Sequence, residues 1–287
     1  MSFIYNNATN HQQYESNIKA VLHCPTLTLN TPYQVDEAWF AHFRKHALIP
    51  EANPYQGNRR LGFYYQWLWQ QIIEAHPHYQ LVAEEIQLHW QNKTLGAIDF
   101  FVLNQQTNQL EHWEVAIKFY LAYQRQWLGP NAADRLDKKI SRMVEHQLML
   151  CEHPAYKEQL QEIYGQPKVK RLIMQGRLFS SYCDHEQGSD IAINPNVLTG
   201  RWCFRSQLKE NQAEEIPLKE LGKPQWLAPP RYDRLSKPLN INGLTTPTQA
   251  LSADNQVWFV VPDHWPIPKL PQDAEFRVNP AGSVQGK

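Results

Sequence analysis

The chain has 287 residues, 42% hydrophobic and 20% charged, which excludes a disordered or fibrous protein and allows one large domain or two small ones. Its 28 basic and 28 acidic residues cancel, so a nucleic-acid partner would need a local basic patch rather than a global field. The start, MSFIYNNATNHQQYESN, lacks the basic-then-apolar pattern of a signal peptide. No apolar run approaches the roughly 20 residues of a membrane helix, so no membrane association is expected. Cys24, Cys151, Cys183 and Cys203 lie far apart with no C-x-x-C pair, which suits reduced thiols and a cytoplasmic location. Cys183, His185 and Cys203 would make a sparse zinc set, and ordinary buried cysteines are the plainer reading.

In chain order, residues 13–22 and Val35–His46 read as short helices. Arg60–Glu74 (RLGFYYQWLWQQIIE) is apolar nearly all round and reads as a buried helix. His76-Pro77-His78 ends it, as a solvated terminus rather than a metal site. Tyr79–Trp90 reads as a strand with Glu84 and Glu85 facing solvent, and Gln91–Lys93 as a turn. Two apolar runs, Ala97–Leu103 and Trp113–Leu121, then flank a polar turn, Asn104–Glu111. Trp127–Asn131 is a loop whose Asn131 can cap a helix over Ala132–Leu150, with Asp134 three residues on. At 100° per residue, that helix turns Leu136, Ile140, Met143, Val144 and Gln147 inward. Arg135, Lys138, Lys139, Arg142 and His146 form a second stripe. Tyr156–Tyr164 reads as a helix and Lys168–Phe179 as a strand. Beyond it prolines become dense and periodicity fades. Val257–Val261 is one clear late strand, and Ala281–Lys287 reads as a frayed tail. The boundary falls near Phe179–Asn196. Residues 1–185 would hold a helical N-terminal segment and a core, and 186–287 a proline-rich C-terminal extension packed on it.

Chemistry is expected in the hairpin Leu95–Tyr123, where Asp99, Glu114 and Lys118 stand alone among apolar residues. Charges so placed cost free energy unless paired, hydrogen-bonded or bound to a metal. Two carboxylates on partner strands can share a magnesium ion, usually held by one or two carboxylates plus waters and phosphate oxygens. A lysine nearby can orient water or stabilise developing charge. Parity places Glu114 on one face with His112, Ala116 and Lys118, and Asp99 with Ala97 and Phe101. Which face meets Asp99 depends on the register. His112 reads as a strand-surface histidine. Asp263-His264 has no nucleophile motif beside it, and no G-x-S-x-G or phosphate-binding glycine loop supports a triad hydrolase or an NTPase.

The order helix, strand, strand with Asp, strand with Glu and Lys, helix, strand resembles the αβββαβ core of the PD-(D/E)XK nucleases, an α/β fold with a mixed sheet. GAIDF with Asp99 resembles the second-strand acid of that superfamily. WEVAIK with Glu114 and Lys118 resembles its third-strand acid and lysine. More specifically, RLGFYYQWLW, LGAIDFFV, HWEVAIKFYLAY, WLGPNAADRLDKKISRMVEHQL and GRLF together resemble a bacterial family of unknown function, number 1853 in the domain-of-unknown-function series, over about residues 15–265.

The nuclease resemblance implies a metal-dependent nuclease. Asp99 and Glu114 would hold Mg²⁺ or Mn²⁺, Lys118 would complete the catalytic set, and Arg135, Lys138, Lys139 and Arg142 would meet the phosphate backbone of nucleic acid. Two departures qualify it. The superfamily spacing is E-x-K, about 6.6 Å along one strand face, whereas Lys118 at i+4 would lie about 13 Å away in a regular strand. Ala116 then occupies the lysine's place, and Lys138 or Lys139 is the alternative base. The first core helix offers Gln66 where many relatives carry glutamate. A nuclease-like fold without catalysis, binding nucleic acid or protein, is the competing expectation. An enzyme acting on a small phosphorylated substrate is a third, without a motif of its own.

Overall fold

The structure is a computed structural model describing residues 7–183, 188, 190–210 and 217–267. Ala281–Lys287 and His185 lie outside them. Three helices come first: α1 (Asn7–His23), α2 (Glu37–His46) and α3 (Leu61–Ala75). The Asp36 side chain caps α2 by accepting from the Trp39 amide at 2.8 Å. Tyr65, Leu68, Trp69, Ile72 and Ile73 of α3 are buried, as its all-round apolar sequence requires.

A long meander follows: β1 (Tyr79–Trp90), β2 (Lys93–Asn104), β3 (Gln109–Tyr123) and the short β4 (Gln126–Leu128). Gln91 and Asn92, both with positive φ, make the first two-residue turn. The second turn is shorter than the polar run suggested, because Asn104 ends β2 and Gln109 already begins β3. The Asn104 carboxamide oxygen accepts from the amides of Gln106 and Thr107, which closes it.

The next helix, α4 (Leu136–Glu145), starts four residues later than Ala132. The Asn131 side chain does accept from the Asp134 amide, at 3.3 Å. That bond closes a loop instead of opening a helix: Ala132 has φ 60, Gly129 N donates to Asp134 O, and Arg135 bridges to Leu128 in extended form. Beyond α4 the chain tightens into a 3₁₀ turn (Gln147–Glu152), then α5 (Pro154–Gln159) and α6 (Gln161–Tyr164).

Strand β5 (Val169–Ser181) lies parallel to β3 along Glu111–Leu121. β6 (Leu198–Phe204), α7 (Arg205–Glu210), β7 (Lys219–Glu220), β8 (Thr248–Leu251) and β9 (Val257–Val261) follow. Among the described residues the nine strands form one mixed sheet in the order β1-β2-β3-β5-β6-β9-β8-β7, with β4 on β3. The region read as an extension thus supplies four strands of the same sheet, β6 to β9. Trp202 Nε1 donates to Ala122 O and Trp265 Nε1 to Pro130 O, tying that region to the end of β3 and the loop before α4.

The sheet is covered on both faces. On one, α1–α3 pack around Trp113, with Val115, Phe100, Val102 and Ile173. Trp113 meets Trp39, Phe43, Trp69 and Tyr79 at centroid distances of 5.3–6.2 Å, all in the edge geometry aromatic rings favour. On the other, Leu136 and Met143 of α4 pack on Ala116, Tyr120, Leu172 and Met174.

Candidate active site

The site is a notch in the sheet. Pairing between β2 and β3 runs from Asn104↔Gln109 to Phe100↔Trp113 and stops there, while β4 joins β3 only at Leu121–Tyr123. Between these points Glu114–Tyr120 have β5 on one side and no described strand on the other. The N-terminal half of β2 diverges from β3. It is held instead by the chain after α4: His146 Nε2 bonds Leu95 O at 2.8 Å, and Gln147 Nε2 donates to Ala97 O at 3.0 Å. Gly96 permits this approach, because a Cβ there would sit 3.1 Å from Gln147 Oε1 and 3.2 Å from Leu150.

Asp99 and Glu114 stand at the fork and replace the missing ladder. The Val115 amide donates to Asp99 Oδ2 at 2.9 Å, and the Asp99 amide to Glu114 Oε1 at 3.4 Å. Glu114 is buried and Asp99 half-buried. Desolvation disfavours both anions. It pushes Glu114 up to about 8, and burial followed by the Glu114 charge raises Asp99 well above the usual carboxylate range.

His112 is not at the surface. It is fully buried, with Nε2 2.9 Å from Glu114 Oε1 and Nδ1 3.4 Å from the buried Cys151 Sγ. Burial first, with Lys170 opposing protonation further, holds its pKa down to about 3, so it is neutral at pH 7. The even-numbered face of β3 that carries His112 points at the 3₁₀ turn rather than at solvent. The sequence signal for this was weak, since Cys151 lies at the end of the apolar run LML.

Lys118 does not reach Glu114. The β3–β5 register is unbroken from Glu111 to Leu121, so no bulge shortens the i+4 spacing. Its Nζ instead pairs with Asp134 Oδ2 at 2.6 Å in the loop before α4. Lys139 of α4 is the lysine whose charge acts on both acids. It shares a helix face with Leu136, Ile140 and Met143 and is half-buried. Burial and then Lys118 hold its ammonium below the usual lysine range, against the pull of Asp99, Glu114 and Asp134. Ala116 makes this possible: its small side chain lets Leu136 and Met143 pack down on β3.

The stripe Arg135–Lys138–Lys139–Arg142 is therefore split. Lys138 and Arg142 are exposed and line an open groove with Asp137, Ser141, Glu145 and His146. Arg135 lies at the N-cap and is engaged by Asp137, at 3.0 and 2.5 Å. Glu85, exposed on β1, lies across from Asp99 between the pairs Glu84↔Phe100 and Ile86↔Ile98. Its φ of 48 marks a phase change in both strands: Ala83 and Ile86, like Ile98 and Phe101, reach one cluster although three residues apart. Its charge disfavours ionisation of both Asp99 and Glu114, an alignment that register alone reveals.

The remaining candidates lie elsewhere. His76 is buried and bonds Phe43 O at 3.1 Å, whereas Glu74 and Pro77 beside it are exposed and His78 is half-buried, so His76 alone departs from a solvated terminus. Asp263 pairs with Arg205 and accepts from the Ser206 amide. Glu74 of α3 accepts from Gln70 and Gln71. Cys24, Cys151 and Cys203 are buried and Cys183 is exposed.

Fold and site together define a mixed α/β protein whose central hairpin forks around two carboxylates that both feel the charge of a helical lysine. The chain belongs to the family described as a domain of unknown function, DUF1853, whose model matches residues 8–261. No curated protein and no solved structure matches it. No helix among the described residues is long and apolar enough to cross a membrane.

Proposed function

We propose that this protein is a metal-dependent nuclease of the PD-(D/E)XK type, acting on phosphodiester bonds in nucleic acid in the cytoplasm. The observation that carries the reading is the pair Asp99 and Glu114 on opposing strands at the point where their ladder opens. Two hard oxygen donors suit Mg²⁺ or Mn²⁺, and among the described residues no group of three or more His, Cys, Asp or Glu is placed to hold a metal ion. The remaining positions would fall to water and phosphate oxygens, the ordinary arrangement for magnesium. The raised pKa values of both acids fit the same ion, because a cation favours their charged forms. When bound, it supplies a polarised phosphate and an activated water.

The protein's own groups have separate tasks. Asp99 and Glu114 hold the cation, each oriented by a backbone amide. Lys139, rather than Lys118, stabilises charge developing on the phosphate, while Lys118 and Asp134 anchor the loop before α4. Lys138 and Arg142, on the outer face of α4, meet phosphates further along the strand.

Purified protein with Mg²⁺ or Mn²⁺ should cleave DNA or RNA offered in single- and double-stranded form, and Asp99→Ala should abolish the cleavage. Equal cleavage by the two proteins overturns the proposal. The commitment of Lys118 to Asp134 favours a second reading, a nuclease-like module that binds nucleic acid or protein without cutting. Under that reading binding is independent of divalent cations and survives Asp99→Ala.

A further inference from the structure

The proposed nuclease reading leaves a fully buried histidine and cysteine unexplained beside Glu114, and the inference here rests on that reading. His112 and Cys151 are 0% exposed and Glu114 1%. They form a continuous chain across β3 and the 3₁₀ turn: Cys151 Sγ to His112 Nδ1 at 3.4 Å, then His112 Nε2 to Glu114 Oε1 at 2.9 Å. The Asp99 amide reaches the same Oε1 from the other side, at 3.4 Å.

The protonation pattern follows from the partners. With a cation bound, Glu114 is ionised and its carboxylate only accepts, so the nitrogen facing it then carries the hydrogen. Nε2 is therefore the donor, which leaves Nδ1 as the acceptor for the Cys151 thiol. A carboxylate oxygen has two lone-pair positions, and on Oε1 both are taken, by the His112 ring and the Asp99 amide.

We propose that His112 is a positioning residue: together with the Asp99 amide it occupies Oε1 of Glu114, so that the carboxylate meets a divalent cation through Oε2 alone. Cys151 acts one step further out by fixing the ring's tautomer. The arrangement resembles the hydrogen bonds that orient metal-ligating groups elsewhere, whose loss weakens metal affinity or activity 10–100-fold. It also makes the Asp99 backbone part of the site, since the amide of one ligand orients the carboxylate of the other.

The test uses Mn²⁺ alone, titrated calorimetrically into the full-length protein at neutral pH, with thermal melts to establish folding. His112→Gln keeps an amide donor near the Nε2 position and should bind as the wild type does. His112→Leu removes the donor and should weaken binding about 10–100-fold. Wild-type protein that binds no Mn²⁺ sinks both the nuclease reading and this inference. Wild type and a folded His112→Leu binding alike overturns the inference alone. If the leucine variant does not fold, ¹⁵N spectra of the unmodified protein decide. Mg²⁺ should shift the His112 Nε2 resonance while that nitrogen stays protonated, and a resonance unmoved at saturating Mg²⁺ refutes the positioning role.

Discussion

Glu114→Gln is expected to stabilise the cation-free protein while removing its capacity to hold a cation. The buried carboxyl ionises only near pH 8, against an ordinary value of 4.5. Between these values the folded protein keeps a proton that the unfolded chain has released. Stability therefore falls as pH rises through this window and levels off above it. His112 works in the opposite sense, because its pKa is depressed from 6.5 to about 3: the unfolded chain takes up a proton below 6.5 that the folded chain refuses, so its contribution is lost as pH falls. The two effects overlap below pH 6.5 and separate above it. From pH 6.5 to 8 Glu114 acts without His112, over about 1.5 pH units at about 1.36 kcal/mol each, or about 2 kcal/mol. Glutamine keeps an acceptor for the Asp99 amide and cannot ionise. Urea denaturation in chelator at pH 6.5, 7.2 and 8 should show the wild type losing about 2 kcal/mol more than Glu114→Gln. Mg²⁺ should flatten the wild-type curve and leave the variant's unchanged. Curves for the two proteins that run parallel across this range would refute the account of a carboxyl held neutral by burial.

Other substitutions separate the parts of the site. Lys139→Met should lower cleavage by about 10²–10³, the usual effect of removing one group that stabilises transition-state charge, whereas Lys118→Met should change the rate little and lower the melting temperature slightly; gel assays at saturating Mg²⁺ distinguish them. Asp99→Ala leaves the Val115 amide without its acceptor and should destabilise by about 1–3 kcal/mol besides abolishing cleavage, measurable by denaturant titration. Lys138→Glu and Arg142→Glu should weaken nucleic-acid binding and flatten its dependence on log salt by about 0.9 for each duplex phosphate that is no longer neutralised, read by fluorescence anisotropy. Gly176→Ala should fail to fold, judged by circular dichroism of the soluble fraction, because φ is +147 and a Cβ would lie 1.7 Å from Lys118 O.

The hairpin and its two acids were legible because burial imposes a pattern. Apolar runs bounded by polar turns located β2 and β3, and charges inside such runs singled out Asp99 and Glu114. The role of Lys118 was less legible, although strand arithmetic already placed it too far from Glu114. Its partner Asp134 looked instead like part of a helix cap. The Asn131 cap signal was real as a hydrogen bond, yet Ala132 in the left-handed region sent the chain into a loop first. Lys139 could not be separated from Lys138 by sequence, because a helical wheel shows neighbours in angle but not which edge meets the sheet. His112 read as a surface residue since alternation gives a face and does not say what covers it. The C-terminal strands were hidden for another reason: β6, β8 and β7 are two to seven residues long and pair with distant segments, so local periodicity had little length in which to appear.

The unbroken sheet bears on how this protein could be dissected. Cutting the chain after Ser181 would strip β6 from Arg177–Ser181 and leave the backbone amides and carbonyls of β5 bare, an edge that invites pairing with a second molecule. It would also uncover Phe119, Leu121 and Phe179, which now pack with Trp202, Phe259 and Trp265. A fragment limited to the forked hairpin and its helices would aggregate before it could be assayed, and an inactive preparation of it would reveal a missing partner strand rather than a missing chemistry.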